Sequence, residues 1–303
     1  MQKPEFTSAE KAEKREWGSN VLIQLKFIRH GDRTPDKFLS DFGREQATTK
    51  ATESGIDVND FDAVKALGSS MGPDAEVEVD GKTIAMGRAL ETAHIFAGEI
   101  DEEQEFVSRV NDLLNFATVK MPAPYEHVPT YNANLPDNYE ELSPKEKASA
   151  GEIAQVATVN YAFATEGPEA EAWKKETAGA FAFLVEHYKK MSEKLKSNSR
   201  VLLPAGSHSP NMEMLLQQAL VFTDDQGHQQ IGFDNVDDIG GPFQPADTYN
   251  IFIATDEQGN FKELIVTFNE PHRPQGELRL DEEKVKELAE FYEELHPIDK
   301  YER

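Results

Sequence analysis

The sequence predicts an α/β fold. Apolar stretches of strand length alternate with segments whose apolar residues recur every three or four positions. Two of the strand-like runs, VLIQLKFI at 21–28 and VLLPAG at 201–206, lack strict polar–apolar alternation, the pattern of strands covered on both faces. With 303 residues, 38% of them hydrophobic, the chain can bury one large core.

In chain order, VLIQLKFI is β-rich and stops at Arg29-His30-Gly31, a strand delivering a loop. Ser40 can accept from the first turn of a helix running to about residue 54. AVKALGSS at 63–70 reads as a strand. Residues 75–86 read as a hairpin around Asp80-Gly81, and Gly87 to about Glu99 as a helix. Residues 117–150, rich in Pro, Asn and Tyr, show little periodicity and read as irregular, either a substrate lid or an ordinary connecting insertion. Trp173, Thr177, Ala180, Leu184, Tyr188, Met191 and Leu195 define a long amphipathic helix. After the 201–206 strand, Ser209-Pro210 opens a helix to about Leu220. YNIFIA (249–254) and ELIVTF (263–268) form a second hairpin. Val285, Leu288, Tyr292 and Leu295 mark a last helix.

Lys and Arg number 31 against 56 Asp and Glu, a formal charge of −25. That surface repels nucleic acid and anionic lipid, so neither is expected as a partner. An anionic substrate would need a local cationic pocket. Cysteine is absent, which excludes disulfides, thiolate nucleophiles and Cys-ligated metals without fixing the compartment. Residues 1–20 form a polar leader without the pattern of a signal peptide, and no run reaches membrane-spanning length. The expectation is a cytoplasmic protein with one domain over 21–303. Nothing in the sequence sets its oligomeric state.

Two strands end in histidine-bearing turns, Arg29-His30-Gly31-Asp32-Arg33-Thr34-Pro35 and Gly206-Ser207-His208-Ser209-Pro210. The carboxyl ends of strands are where open α/β sheets bind ligands. Two arginines within three residues of a histidine repel one another unless an anion lies between them, and guanidinium forks match phosphate oxygens. Arg88 opens another helix, with Thr92 one turn on.

Four segments together resemble the histidine phosphatase superfamily, which includes phosphoglycerate mutases and histidine acid phosphatases. They are Arg29-His30-Gly31, Ser40 to Ala47, Arg88-Ala89-Leu90-Glu91-Thr92-Ala93, and Val201 to His208 with the following helix. They stand in family order and cover roughly 21–100 and 200–268, leaving 117–195 unmatched. Arg33-Thr34-Pro35 looks like the acid-phosphatase branch, yet Ser209 stands where that branch has Asp. Ser40 to Ala47 looks like the mutase-containing branch. Ser69-Ser70 resembles what precedes the second arginine, which would make 72–86 an insertion.

The resemblance implies a three-layer sandwich with a mostly parallel central sheet and a cap inserted over about 117–195. It implies hydrolysis of a small phosphorylated metabolite through a phosphohistidine on His30, with neither metal nor cofactor. Arg29, Arg33, Arg88 and His208 would surround the phosphoryl group and supply positive charge, with Thr34 and Ser209 as further phosphate contacts. The proton donor would be a carboxylate beyond the Arg88 helix: Asp112, with Glu105, Glu126 and Glu213 as competitors. The alternatives are a mutase-like phosphotransferase and a non-catalytic phospholigand-binding protein. His94, His127, His187, His228, His272 and His296 show no zinc-ligand spacing.

Overall fold

The computed structural model describes residues 16–34, 36–70, 73–79, 82–98, 106–115, 127–223 and 228–297. Most of the polar leader, Pro35, the Asp80-Gly81 turn and the candidate acids Glu105 and Glu126 lie outside them.

Strand β1 (Leu22–Arg29) occupies the middle of a nine-stranded sheet. Helix α1 (Asp41–Glu53) follows, and the Ser40 hydroxyl accepts from Gly43 N as the sequence predicts. Next come β2 (Ala63–Gly68), the hairpin β3 (Asp74–Val79) and β4 (Lys82–Gly87), and α2 (Arg88–Ala97). The hairpin forms its own two-stranded sheet. Strand β5 (Phe106–Val110) leads into a short 3₁₀ turn, Asp112–Leu114.

The region read as irregular contains two helices, α3 (His127–Ala133) and α4 (Pro144–Ala164). The expectation for 117–150 is corrected to that extent. Helix α4 is held at its start by a capping box, Ser143 with Glu146, with Pro144 at its first position. Helix α5 (Pro168–Ser192), also within the segment read as a cap, buries Trp173, Phe181 and Tyr188 in the main core.

The chain continues through β6 (Arg200–Ser207), α6 (Asn211–Ala219), β7 (Leu220–Thr223), β8 (Gln229–Ile231), β9 (Thr248–Thr255), β10 (Phe261–Phe268), β11 (Leu278–Leu280) and α7 (Glu282–Leu295). Strand order is β5-β2-β6-β1-β9-β10-β11-β7-β8. Only β5, β2, β6 and β1 run parallel. The pairings from β1 to β9 onward are antiparallel, so the sheet is mixed rather than mostly parallel. The physical reason is local: Asp256 and Asn260 close the β9–β10 loop, and a connection that short can only return antiparallel.

Helices cover both faces. Ile23, Leu25 and Phe27 of β1 point into the core shared with α5, α6 and α7, where Phe27 meets the Phe181 and Tyr249 rings at 5.0 Å. The next residue, Ile28, faces α1 and α2 with Ala47, Leu90 and Ala93. This period-two alternation buries β1 on both sides. Among the described residues no helix is long and apolar enough to cross a membrane.

Candidate active site

Because β1, β2, β5 and β6 are parallel, their carboxyl ends share one edge of the sheet. Registers Arg29↔Ser207, Gly68↔Gly206 and Gly68↔Val110 bring His30, Ser69, Asn111 and His208 to that edge. The backbone ties them: His30 N donates to Ser207 O (3.0 Å), Ser69 N to Gly206 O (3.1 Å) and Asn111 N to Gly68 O (2.8 Å).

Helix α2 brings Arg88 to the same edge by close approach. A Cβ on Gly206 would stand 1.9 Å from the Ala89 carbonyl oxygen, and one on Gly68 would stand 2.3 Å from Leu90 Cα. Only glycine lets the helix start sit directly on the strand ends. Thr92, one turn after Arg88, accepts from Gly31 N and returns its own proton to the Arg88 carbonyl. The His30 turn and Arg88 are thereby linked.

The two histidine rings meet edge to face, with centroids 4.9 Å apart. His30 Nδ1 lies 2.7 Å from the Gly31 carbonyl oxygen. A carbonyl only accepts, so Nδ1 carries the proton and Nε2 keeps its lone pair. Burial, then His208, Arg88 and Arg29, hold the His30 imidazole well below the ordinary histidine range. His208 is 3% exposed, and its Nε2 lies 2.6 Å from Ser69 Oγ. Burial and the arginines hold it well below that range too. Both rings are therefore neutral in the unliganded site at pH 7. With both rings neutral, the positive charge here comes from the guanidiniums.

Arg29 donates through Nη1 to the Phe243 carbonyl, and Arg88 through Nη1 to the Lys37 carbonyl at 3.1 Å. Both acceptors are neutral. Arg88 is 6% exposed, and its buried Nε has no hydrogen-bond partner. Burial and the charge of Arg33 lower Arg88 to about 10. Arg33 itself is exposed, on an isolated bridge with Leu39.

The remaining sequence-predicted residues take other partners. Thr34 closes the turn, its Oγ1 accepting from Phe38 N at 3.2 Å. Ser209 Oγ donates to Glu213 Oε1 (2.6 Å) and accepts from Gln155 Nε2 of α4 (3.3 Å). Asp112 is exposed at the start of its 3₁₀ turn, and its Oδ1 accepts from Ser70 Oγ (2.8 Å) and Asn115 Nδ2 (3.1 Å). Ser70 follows Ser69, so Asp112 sits beside the residue that holds His208.

Glu213 is fully buried. Its Oε1 also accepts from Phe243 N (3.0 Å), and its Oε2 has no partner. Burial raises its carboxyl above the usual range. Gln155 and the Phe243 carbonyl escaped the sequence reading: Gln155 lies in a helix without a strong apolar stripe, and a backbone acceptor leaves no side-chain signature. Among the described residues no three His, Asp or Glu side chains gather as metal ligands.

No family model and no curated protein matches the chain. Solved structures similar to it include a mycobacterial glucosyl-3-phosphoglycerate phosphatase, 16% identical, covering 85% of this chain and 96% of that one, with a TM-score of 0.32. A phytase from Klebsiella sp. ASR1 is 12% identical, covers 93% and 96%, and scores 0.36. A protein described as mycobacterial hydrolase 1 is also similar, at 16% identity, 86% and 97% coverage and a TM-score of 0.34. At such scores these likenesses assign no residue a role, and the site stands on its own geometry.

Proposed function

We propose that the chain is a phosphomonoesterase that forms a phosphohistidine on His30 and acts on a small phosphorylated metabolite. The observation that carries this reading is the orphaned Nε of buried Arg88 beside two neutral histidines. A buried guanidinium N–H without an acceptor costs about 1–3 kcal/mol or more, and a phosphoryl oxygen would satisfy it.

In this reading the lone pair of His30 Nε2 attacks phosphorus while the ester P–O bond breaks. Asp112 passes a proton to the departing oxygen. Water then attacks phosphorus, losing a proton to the Asp112 carboxylate as the N–P bond breaks, and inorganic phosphate leaves. Arg29, Arg33 and Arg88 stabilise charge on the transferring oxygens, and His208 contributes as a neutral donor. Each such preorganised contact is typically worth about 3–4 kcal/mol of barrier. Thr34 and Ser209, whose hydroxyls are engaged elsewhere, support the loops around the phosphate.

The test is phosphate release from nitrophenyl phosphate and from an alkyl phosphate. Wild-type protein should release phosphate from both, and labelled substrate should leave acid-labile phosphorus on His30. Near-wild-type turnover by His30→Ala would overturn the reading.

A further inference from the structure

Arg29 is gripped by the 239–247 loop at three points. Its backbone N donates to Asp247 O (3.0 Å), its backbone O accepts from Ala246 N (3.0 Å), and its side chain meets the Phe243 carbonyl. The loop is in turn organised by a residue remote in sequence. Arg273, whose side chain is fully buried, donates through Nη1 to Ile239 O and Gly241 O, both at 2.9 Å. Its Nη2 donates to Pro242 O (3.2 Å) and Asp247 Oδ2 (3.0 Å). The guanidinium also lies 4.0 Å from the Phe243 ring centroid. One side chain thus fixes the loop before Phe243, the Phe243 ring and the loop end.

We propose that Arg273 is a positioning residue for phosphoryl binding, acting through the Phe243 carbonyl on the Arg29 guanidinium. The inference rests on the phosphatase reading above. The planar fork is what the role requires, since three carbonyls and two carboxylates, Asp247 at 3.0 Å and Glu270 at 3.5 Å, are reached from one rigid group carrying stacked aromatic contact. Lysine keeps the charge but cannot span those acceptors. The peptide that carries the Phe243 carbonyl is held at its other end, where Gln244 N donates to Asp247 Oδ2 (2.9 Å), and the preceding peptide is held by Glu213, which accepts from Phe243 N (3.0 Å).

The experiment is a double-mutant cycle on orthovanadate affinity, measured by calorimetry for wild type, Arg273→Lys, Arg29→Ala and the double variant. Arg273→Lys should weaken binding about tenfold alone and less than about twofold in the Arg29→Ala background, because residues acting through one contact are not additive. Equal weakening in both backgrounds overturns the proposal, since a loss of general stability does not depend on Arg29. Circular dichroism melts accompany each variant. Should Arg273→Lys not fold, Asp247→Asn takes its place in the cycle, breaking the ion pair while keeping the side-chain shape. Wild-type protein that binds vanadate with an additive cycle would refute the positioning role alone. Wild-type protein that neither binds vanadate nor releases phosphate would refute both readings.

Discussion

Ser69 Oγ lies 2.6 Å from His208 Nε2, with both residues buried at the ends of adjacent strands. The hydroxyl fixes the orientation of the ring that, in the phosphatase reading proposed above, faces the phosphoryl group. Ser69→Ala leaves that nitrogen short of a buried partner, a loss of about 1–3 kcal/mol. The expected result is a melting temperature lower by several degrees together with a fall in kcat/KM, and Ser69→Thr should recover part of both. Unchanged kinetics in Ser69→Ala would show that His208 is oriented without the hydroxyl.

Asp112→Asn separates proton donation from charge. If Asp112 protonates the leaving group, the loss grows with the leaving group's pKa, large for alkyl phosphates and small for nitrophenyl phosphate. Equal losses on both substrates would assign Asp112 to holding Ser70 and Asn115. The leaving-group dependence should then appear in Glu213→Gln instead.

The histidine pair also sets a stability profile. Both rings have folded pKa values depressed below the unfolded value of about 6.5. As pH falls through 6.5 the unfolded chain takes up protons that the folded chain refuses. Stability is therefore present above that pH and lost on acidification, by up to about 1.4 kcal/mol per pH unit for each ring until the folded value is reached. Urea unfolding at pH 7.5 and 5.5 should show a steeper loss for wild type than for a His30→Asn/His208→Asn variant. Identical slopes would show that the rings titrate normally.

Beneath the site, Lys26 is 1% exposed, with Nζ 3.4 Å from Asn250 Oδ1 and 5.6 Å from the Phe96 ring centroid. Burial lowers its pKa to about 8, against the attraction of Glu270. Between that value and about 10.4 the unfolded lysine holds a proton that the folded one has released, so this group adds stability as pH rises through the window. At pH 7 the buried charge is a burden. Lys26→Met should stabilise by roughly 1–3 kcal/mol in urea unfolding at that pH. A destabilisation would mean that pairing outweighs desolvation.

Legibility in the sequence followed the range of the interactions. The β1 and β6 strands, the Ser40 cap and the histidine turns are local patterns, and each lies where the pattern places it. Helix α4 was missed because its alanine-rich faces give no strong stripe, although Ser143 and Glu146 carried a readable capping signal. In the antiparallel half of the sheet the β9–β10 hairpin was legible, whereas β7, β8 and β11, only three or four residues long, were not. Strands that short take their identity from neighbours. Of the candidate site, the histidines and the first and second arginines were visible as motifs. The roles of Phe243 and Arg273 were not, since their principal contacts run through backbone atoms distant in sequence.

The glycine contacts at positions 68 and 206 separate the geometry of the pocket from the length of the chain that joins its parts. Between β2 and α2 the chain makes an excursion through the β3–β4 hairpin before returning with Arg88. If the connection itself set the position of Arg88, every residue gained or lost there would move the guanidinium. Here the start of α2 is seated by backbone contact against two strand ends, so the hairpin is free to lengthen, shorten or acquire a new surface while the arginine stays in register. The tolerance is one-sided. Residues can be added to the loop at small cost, whereas a single methyl group on either glycine would displace the helix that carries the charge.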